Sequence, residues 1–168
     1  MRVFVFSTGR CGSTTLAKAC RHITNYSSGH ETNAGKVSID YPDNHIEIDP
    51  HLTFNLPMIR TLYPNAIFVH QIREEDGCVA SLAKRGSMKN LWIPHAYQKR
   101  NATQEDIKRS AFYFYHFFNG IITKYTNKQI RMESFTEDFK MFWKLIGAEG
   151  SLEKALAELK IAYNKGKK

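Results

Sequence analysis

Hydrophobic and polar positions separate sharply at the start of the chain. Val3 to Phe6 is a compact run of β-formers, followed at once by Gly9, Gly12 and the hydroxyl residues Ser13, Thr14 and Thr15. Leu16, Ala17, Ala19, Cys20 and Ile23 then continue at helical spacing. The pattern predicts a strand, a tight glycine turn and a helix, which is half of a βαβ unit. Residues 26–45 are polar and interrupted by Gly29, Gly35 and Pro42, so they predict loop with room for one short strand. His45 to Asp49 predicts a second strand, ended by Pro50, and Leu52 to Leu62 a short helix in which Pro57 fits only at a helix start.

Ala66 to Ile72 is the clearest buried strand after the first. Glu74, Glu75 and Asp76 suit the first turn of a helix, where carboxylates meet free amides. Val79, Leu82 and Ala83 give that helix an apolar side, and Gly86 ends it. Residues 87–100, with Trp92 and Pro94, predict a loop. Asn101 or Thr103 can cap a helix reaching about Tyr125, and its aromatic centre, Ala111 to Phe118, predicts burial nearly all round. Gln129 to Glu133 predicts the last strand. Two helices follow, one over about Thr136 to Ile146 and one carrying Leu152, Leu156 and Leu159, separated by Gly147 and Gly150. Strands alternating with helices, with no repeat and no linker, predict one α/β domain over 1–168: a three-layer fold with a mainly parallel central sheet. Ligands of such folds sit beyond the carboxyl ends of the strands.

Composition narrows the setting. A chain of 168 residues is one domain's worth and buries a core without staples. Three cysteines are too few and too odd for a disulfide scaffold, which predicts reduced thiols and a cytoplasmic protein. The apolar start is too short for a signal peptide or a membrane span. Twenty-four basic against sixteen acidic residues give a formal charge of +8, which favours anionic partners. The lysines of the terminus, Lys165, Lys167 and Lys168, read as a solvated end.

The chemistry concentrates at two predicted strand ends. Ser7 to Thr15 exposes backbone amides at a helix N-terminus, adds hydroxyls at 13–15, and supplies in Arg10 a planar fork that fits phosphate oxygens. The nucleotide-triphosphatase pattern is not met, because Ser13 stands where its lysine would follow Gly12. The second motif is Arg73 at the end of its strand and Ser81 eight residues later on the next helix. A plainer role for Arg73 is an ion pair with Glu47 or Asp49.

Gly9-Arg10-Cys11-Gly12-Ser13-Thr14 resembles the 5'-phosphosulfate loop of the sulfotransferases that use 3'-phosphoadenosine 5'-phosphosulfate, with Cys11 in place of the usual serine. Arg73 and Ser81 are similar in spacing and context to that family's 3'-phosphate pair, although Glu74-Glu75 replaces its Asp-Pro. Asn164 to Lys167 faintly resembles its basic 3'-phosphate segment, and Arg131 to Phe135 its late strand, with Glu133 structural. The likeness spans roughly 1–147 and is firmest over 3–20 and 66–86. It implies a P-loop-like domain that binds the donor, or its product adenosine 3',5'-bisphosphate, through Gly9, Arg10, Cys11, Gly12, Ser13, Thr14, Thr15, Arg73 and Ser81. It implies sulfuryl transfer to a hydroxyl or amine of a small-molecule or saccharide acceptor, with no metal. The short chain suits an exposed acceptor or a homo-oligomer whose second subunit completes the site.

Transfer needs a group to take the acceptor's proton. Asp49-Pro-His51-Leu52 loosely resembles the family's Lys-Thr-His-Leu, which points to His51, with Asp49 replacing the lysine. Glu31, with His30 beside it, lies where other branches place a carboxylate base. His51, Glu31 and neither all stay open. Other functions also stay open: a P-loop nucleotide kinase or triphosphatase, an inactive nucleotide-binding member, or a nucleic-acid-binding protein. Against the last, basic residues are spread along the chain without an RRM, KH or zinc signature, and Phe112, Tyr113, Tyr115 and Phe117 read as core, so no specific nucleic acid is expected.

Overall fold

The structure is a computed structural model that describes residues 1–33, 40–84 and 103–161. Gly35, Arg85, Gly86, the 87–100 loop with Trp92 and Pro94, Asn101 and the basic terminal segment Asn164 to Lys168 lie outside the described residues.

Five strands form one sheet: β1 (Arg2–Phe6), β2 (Ser27–His30), β3 (His45–Ile48), β4 (Ile67–Ile72) and β5 (Lys128–Arg131). Their order is β2-β3-β1-β4-β5, and every ladder is parallel. β1 therefore sits at the centre, with β4 directly beside it, as their apolar sequences predict. The helices are α1 (Ser13–Cys20), α2 (Leu56–Leu62), α3 (Glu75–Lys84), α4 (Gln104–Tyr125), α5 (Phe135–Leu145) and α6 (Leu152–Leu159).

Alternation along β1 makes the two faces. Val3 and Val5 point into one core, where Ile46, Ile48, Val69 and Ile130 of the sheet meet α1, α5 and α6. Phe4 and Phe6 point the other way, onto Phe68, Leu56 and Ile59 of the α2 side, and Ile122 of α4. A third cluster joins α3 to α4 and includes Cys11 of the first loop. Helices thus cover both faces of a parallel sheet, the three-layer α/β arrangement. The chain runs from β1 outward to β2, returns through β3, and crosses to β4 on the opposite flank. This reversal at β1 is the topological switch where open α/β sheets take their ligands.

Two local outcomes follow from turn chemistry. Pro57 lies in the first turn of α2, after a 3₁₀ segment over Pro50–Asn55, so the predicted helix splits where proline requires it. Thr103, with Asp106, closes a capping box on α4.

One expectation is corrected. α4 is not buried all round: Ile107, Ala111, Phe114, Tyr115, Phe118 and Ile122 form its buried stripe, while Phe112, Tyr113 and Phe117 are exposed. Aromatic density concealed an ordinary 3.6-residue period. Of the four aromatic side chains read as core, Tyr115 alone is buried. Among the described residues no helix is long and apolar enough to cross a membrane.

Candidate functional site

The parallel sheet brings five segments to one edge: the loop after β1, Glu31 after β2, Asp49 to His51 after β3, Arg73 after β4 and Met132–Glu133 after β5. The first of these is the most specialised. Gly9, Arg10 and Gly12 all have left-handed backbones, at φ 76°, 59° and 85°. Glycine accepts this conformation without cost, whereas Arg10 is held there by its surroundings. Gly12 is the N-cap of α1 and offers no side-chain cap, and the first amides of a helix have no acceptor within it. A Cβ at Gly12 would lie 3.5 Å from Phe135 and 3.6 Å from Gln71 Nε2. The loop thus leaves a narrow cradle at a helix N-terminus, the geometry that suits an anion.

The cradle is fixed from beneath. Gly9 N–H donates to Ser7 Oγ at 3.1 Å, and Thr53 donates its hydroxyl to the Ser7 carbonyl at 3.0 Å. Gln71 lies fully buried on β4 beside Gly12, and neither atom of its amide has a hydrogen-bond partner among the described residues. A buried amide with both ends unsatisfied is costly, which makes Gln71 a candidate partner for a polar guest. The sequence carried a signal for it: His70-Gln71 is a polar pair inside an otherwise apolar strand. His70 Nε2 meets Asn119 Oδ1 of α4 at 2.8 Å, while His70 Nδ1 and Asn119 Nδ2 have no partner among the described residues, and burial pushes the His70 pKa down.

The residues predicted to hold a nucleotide come together in part. Arg10 Nε donates to Ser81 Oγ at 2.9 Å, which joins the first loop to α3. Arg73 does not reach Ser81 by any hydrogen bond described, nor does it pair with Glu47 or Asp49. Its Nε faces Glu74 Oε1 at 3.3 Å, while Tyr115 donates its hydroxyl to the Arg73 carbonyl at 2.9 Å. Glu47 is instead buried against His45 Nε2 at 3.0 Å and accepts the Thr32 N–H. Glu133 accepts the Glu74 N–H at 2.8 Å and so holds the segment leading into α3. Cys11 is fully buried beneath the loop, beside Thr8 and Cys78.

The two possible bases differ in their surroundings. His30 Nε2 lies 3.1 Å from Ser13 Oγ and 3.9 Å from Glu31 Oε1, and Glu31 has a left-handed backbone at φ 52°. That short chain ties the end of β2 to the start of α1. His51 is exposed, and its backbone N–H donates to Asp49 Oδ1 at 2.7 Å. Asp49 is buried, and burial raises its carboxyl pKa despite that bond. Pro50, adjacent to His51, lies against Gly9.

No protein-family model matches the chain, and no curated protein matches it.

Proposed function

We propose that the chain binds 3'-phosphoadenosine 5'-phosphosulfate at the carboxyl edge of β1 and β4 and transfers its sulfuryl group to a hydroxyl or amine. The observation that carries this reading is the junction of Arg10 and Ser81, 2.9 Å apart, beside an uncapped helix start. Arg10 comes from the turn after β1 and Ser81 from the body of α3, so a ligand entering beside them can meet groups of both segments.

The residues present fit such a group. Gly12 leaves room that a Cβ would fill, Gln71 offers an unsatisfied amide, and Arg10 supplies a bidentate fork. Ser13 and Thr14 begin α1, where the first backbone amides favour an anion, although the Ser13 hydroxyl also meets His30 Nε2. Arg73 would exchange its partly exposed pairing with Glu74 for the 3'-phosphate. When bound, the donor supplies the activated sulfuryl group. The protein orients it with fixed donors and offsets the negative charge that grows on the departing phosphate. Glu31, positioned through His30, or His51 takes the acceptor's proton.

Calorimetry tests the binding half. Adenosine 3',5'-bisphosphate should bind without magnesium and more tightly than ATP. Preference for ATP with magnesium would replace this reading with nucleotide phosphoryl transfer. Isotopic sulfuryl transfer to a panel of alcohols, amines and saccharides then tests the catalytic half.

A further inference from the structure

Cys11 and Cys78 are the least explained reactive groups near the loop. They lie 67 residues apart in sequence, yet their Sγ atoms stand 3.8 Å apart, and both residues are fully buried. The surroundings are shared. Thr8 Oγ1 lies 3.5 Å from Cys11 Sγ and 3.6 Å from Cys78 Sγ, and both thiols reach the Gly9 carbonyl, at 3.2 and 3.6 Å. One sulfur belongs to the anion loop and the other to α3, the helix that carries Ser81.

We propose that Cys11 and Cys78 form a dithiol that closes to a reversible disulfide under hydroperoxide, locking the first loop onto α3. The two thiols have unequal roles. The contact with Cys11 lowers the pKa of Cys78 against the opposing effect of burial, with help from Thr8 and the charge of Arg73, while the same contact and burial raise that of Cys11. We assign the resolving role to Cys11, in the loop, and the attack to Cys78, on α3. Its sulfur takes one oxygen from the hydroperoxide, whose other oxygen leaves as water or alcohol once protonated. The resulting sulfenic acid is attacked by Cys11, the S–S bond forms, and the hydroxyl departs as water. Two thiols lose two electrons and two protons, and the peroxide gains them. Full burial makes the oxidation slow and restricts it to small oxidants that enter on local opening of the loop or α3, and it disfavours disulfides between molecules. Cys20, fully buried and outside this contact, is an internal control.

Closure changes the loop. The sulfurs must approach from 3.8 Å to about 2.05 Å, and once bonded neither sulfur carries a proton for the Gly9 carbonyl they both touch. Cys11 lies between Arg10 and Gly12, so closure bears directly on the segment that shapes the cradle. The modification stands whatever the loop binds.

The test treats the full chain with hydrogen peroxide under native conditions, then alkylates it in denaturant and maps the peptides by mass. The expected product is one intramolecular bond between the Cys11 and Cys78 peptides, with Cys20 alkylated and the bond removed by dithiothreitol. In Cys11→Ser, Cys78 should stop as a sulfenic acid that dimedone traps. Hydrogen exchange of the 9–13 amides should shift on oxidation and return on reduction. Persistence of both free thiols, a bond to Cys20, or unchanged exchange in the oxidised protein would overturn the proposal. Wild-type mapping decides the matter if the serine variant fails to fold.

Discussion

Arg10 Nε donates to Ser81 Oγ at 2.9 Å, which joins two residues that the resemblance to the sulfotransferases implies at opposite ends of a nucleotide. The bond crosses from the loop after β1 to the middle of α3. A ligand entering the cradle therefore competes with, or builds upon, a contact that already connects its two binding segments.

Coupling is the first expected outcome. Arg10→Ala and Ser81→Ala should each weaken adenosine 3',5'-bisphosphate binding by about 1.5–3 kcal/mol, the worth of a charge-assisted hydrogen bond. Because the side chains touch, the double variant should lose less than the sum, with an interaction of about 0.5 kcal/mol or more. Calorimetry on the four proteins measures it. Strict additivity would separate the two residues functionally.

Arg73 gives the second. Its pairing with Glu74 is partly exposed and contributes little to stability. Arg73→Ala should therefore leave the melting temperature nearly unchanged. It should weaken the 3'-phosphorylated nucleotide far more than an analogue lacking that phosphate. Equal loss with both ligands rejects a 3'-phosphate role.

Proton transfer separates Glu31 from His51. Glu31 is connected to the start of α1 through His30 and Ser13, whereas His51 is an exposed side chain above a fixed backbone turn. Replacing the acting base should lower turnover by roughly 10²-fold or more while sparing nucleotide binding. Turnover of Glu31→Gln and His51→Ala, with one confirmed acceptor, distinguishes them. Normal turnover in both removes this account of proton transfer.

Acid stability should depend on Asp138. Its buried carboxylate receives Arg131 Nε at 2.9 Å, Arg131 Nη2 at 2.9 Å and the Arg131 N–H at 2.8 Å. Arg131 chiefly, with the backbone amide and Ser134, lowers its pKa from 3.8 to about 2. A folded value below the unfolded one gives stability that is complete above about pH 5 and is lost as pH falls toward 2. Allowing for the solvent around the half-exposed Arg131, the effect is about 1–2 kcal/mol. Asp138→Asn should destabilise the protein at neutral pH and flatten its acid unfolding limb. An unchanged limb in urea titrations would contradict the assignment.

Much of this architecture was legible in residue pattern. β1 and β4 were marked by continuous apolar runs, as buried parallel strands require, and α1, α5 and α6 by helical spacing. β2 was nearly invisible, because Ser-Ser-Gly-His has no apolar alternation. It exists through its ladder with β3, where Ser27 also bonds His45. That strand delivers His30 and Glu31 to Ser13, so the same weakness hid part of the site. The sulfur pair was equally hidden, since 67 residues separate its members and only the packing of α3 on the first loop unites them.

Gln71 provides the last prediction, because there stability and binding should move in opposite directions. Both ends of its amide are buried without partners, beside Gly12 and the start of α1. Carrying such a group in an apolar setting costs about 1–3 kcal/mol. Leucine has similar bulk and no polar atoms, and Gln71 shares its sheet face with Val69, which packs in the apolar core. Gln71→Leu should therefore raise the unfolding free energy of the unliganded protein while weakening binding of the proposed anion, if the amide is its partner. Paired denaturant melts and bisphosphate titrations decide between two accounts. A more stable variant that binds less tightly identifies a group kept for function at the expense of stability. A less stable variant with unaltered affinity makes Gln71 a structural amide and leaves the cradle to the loop alone.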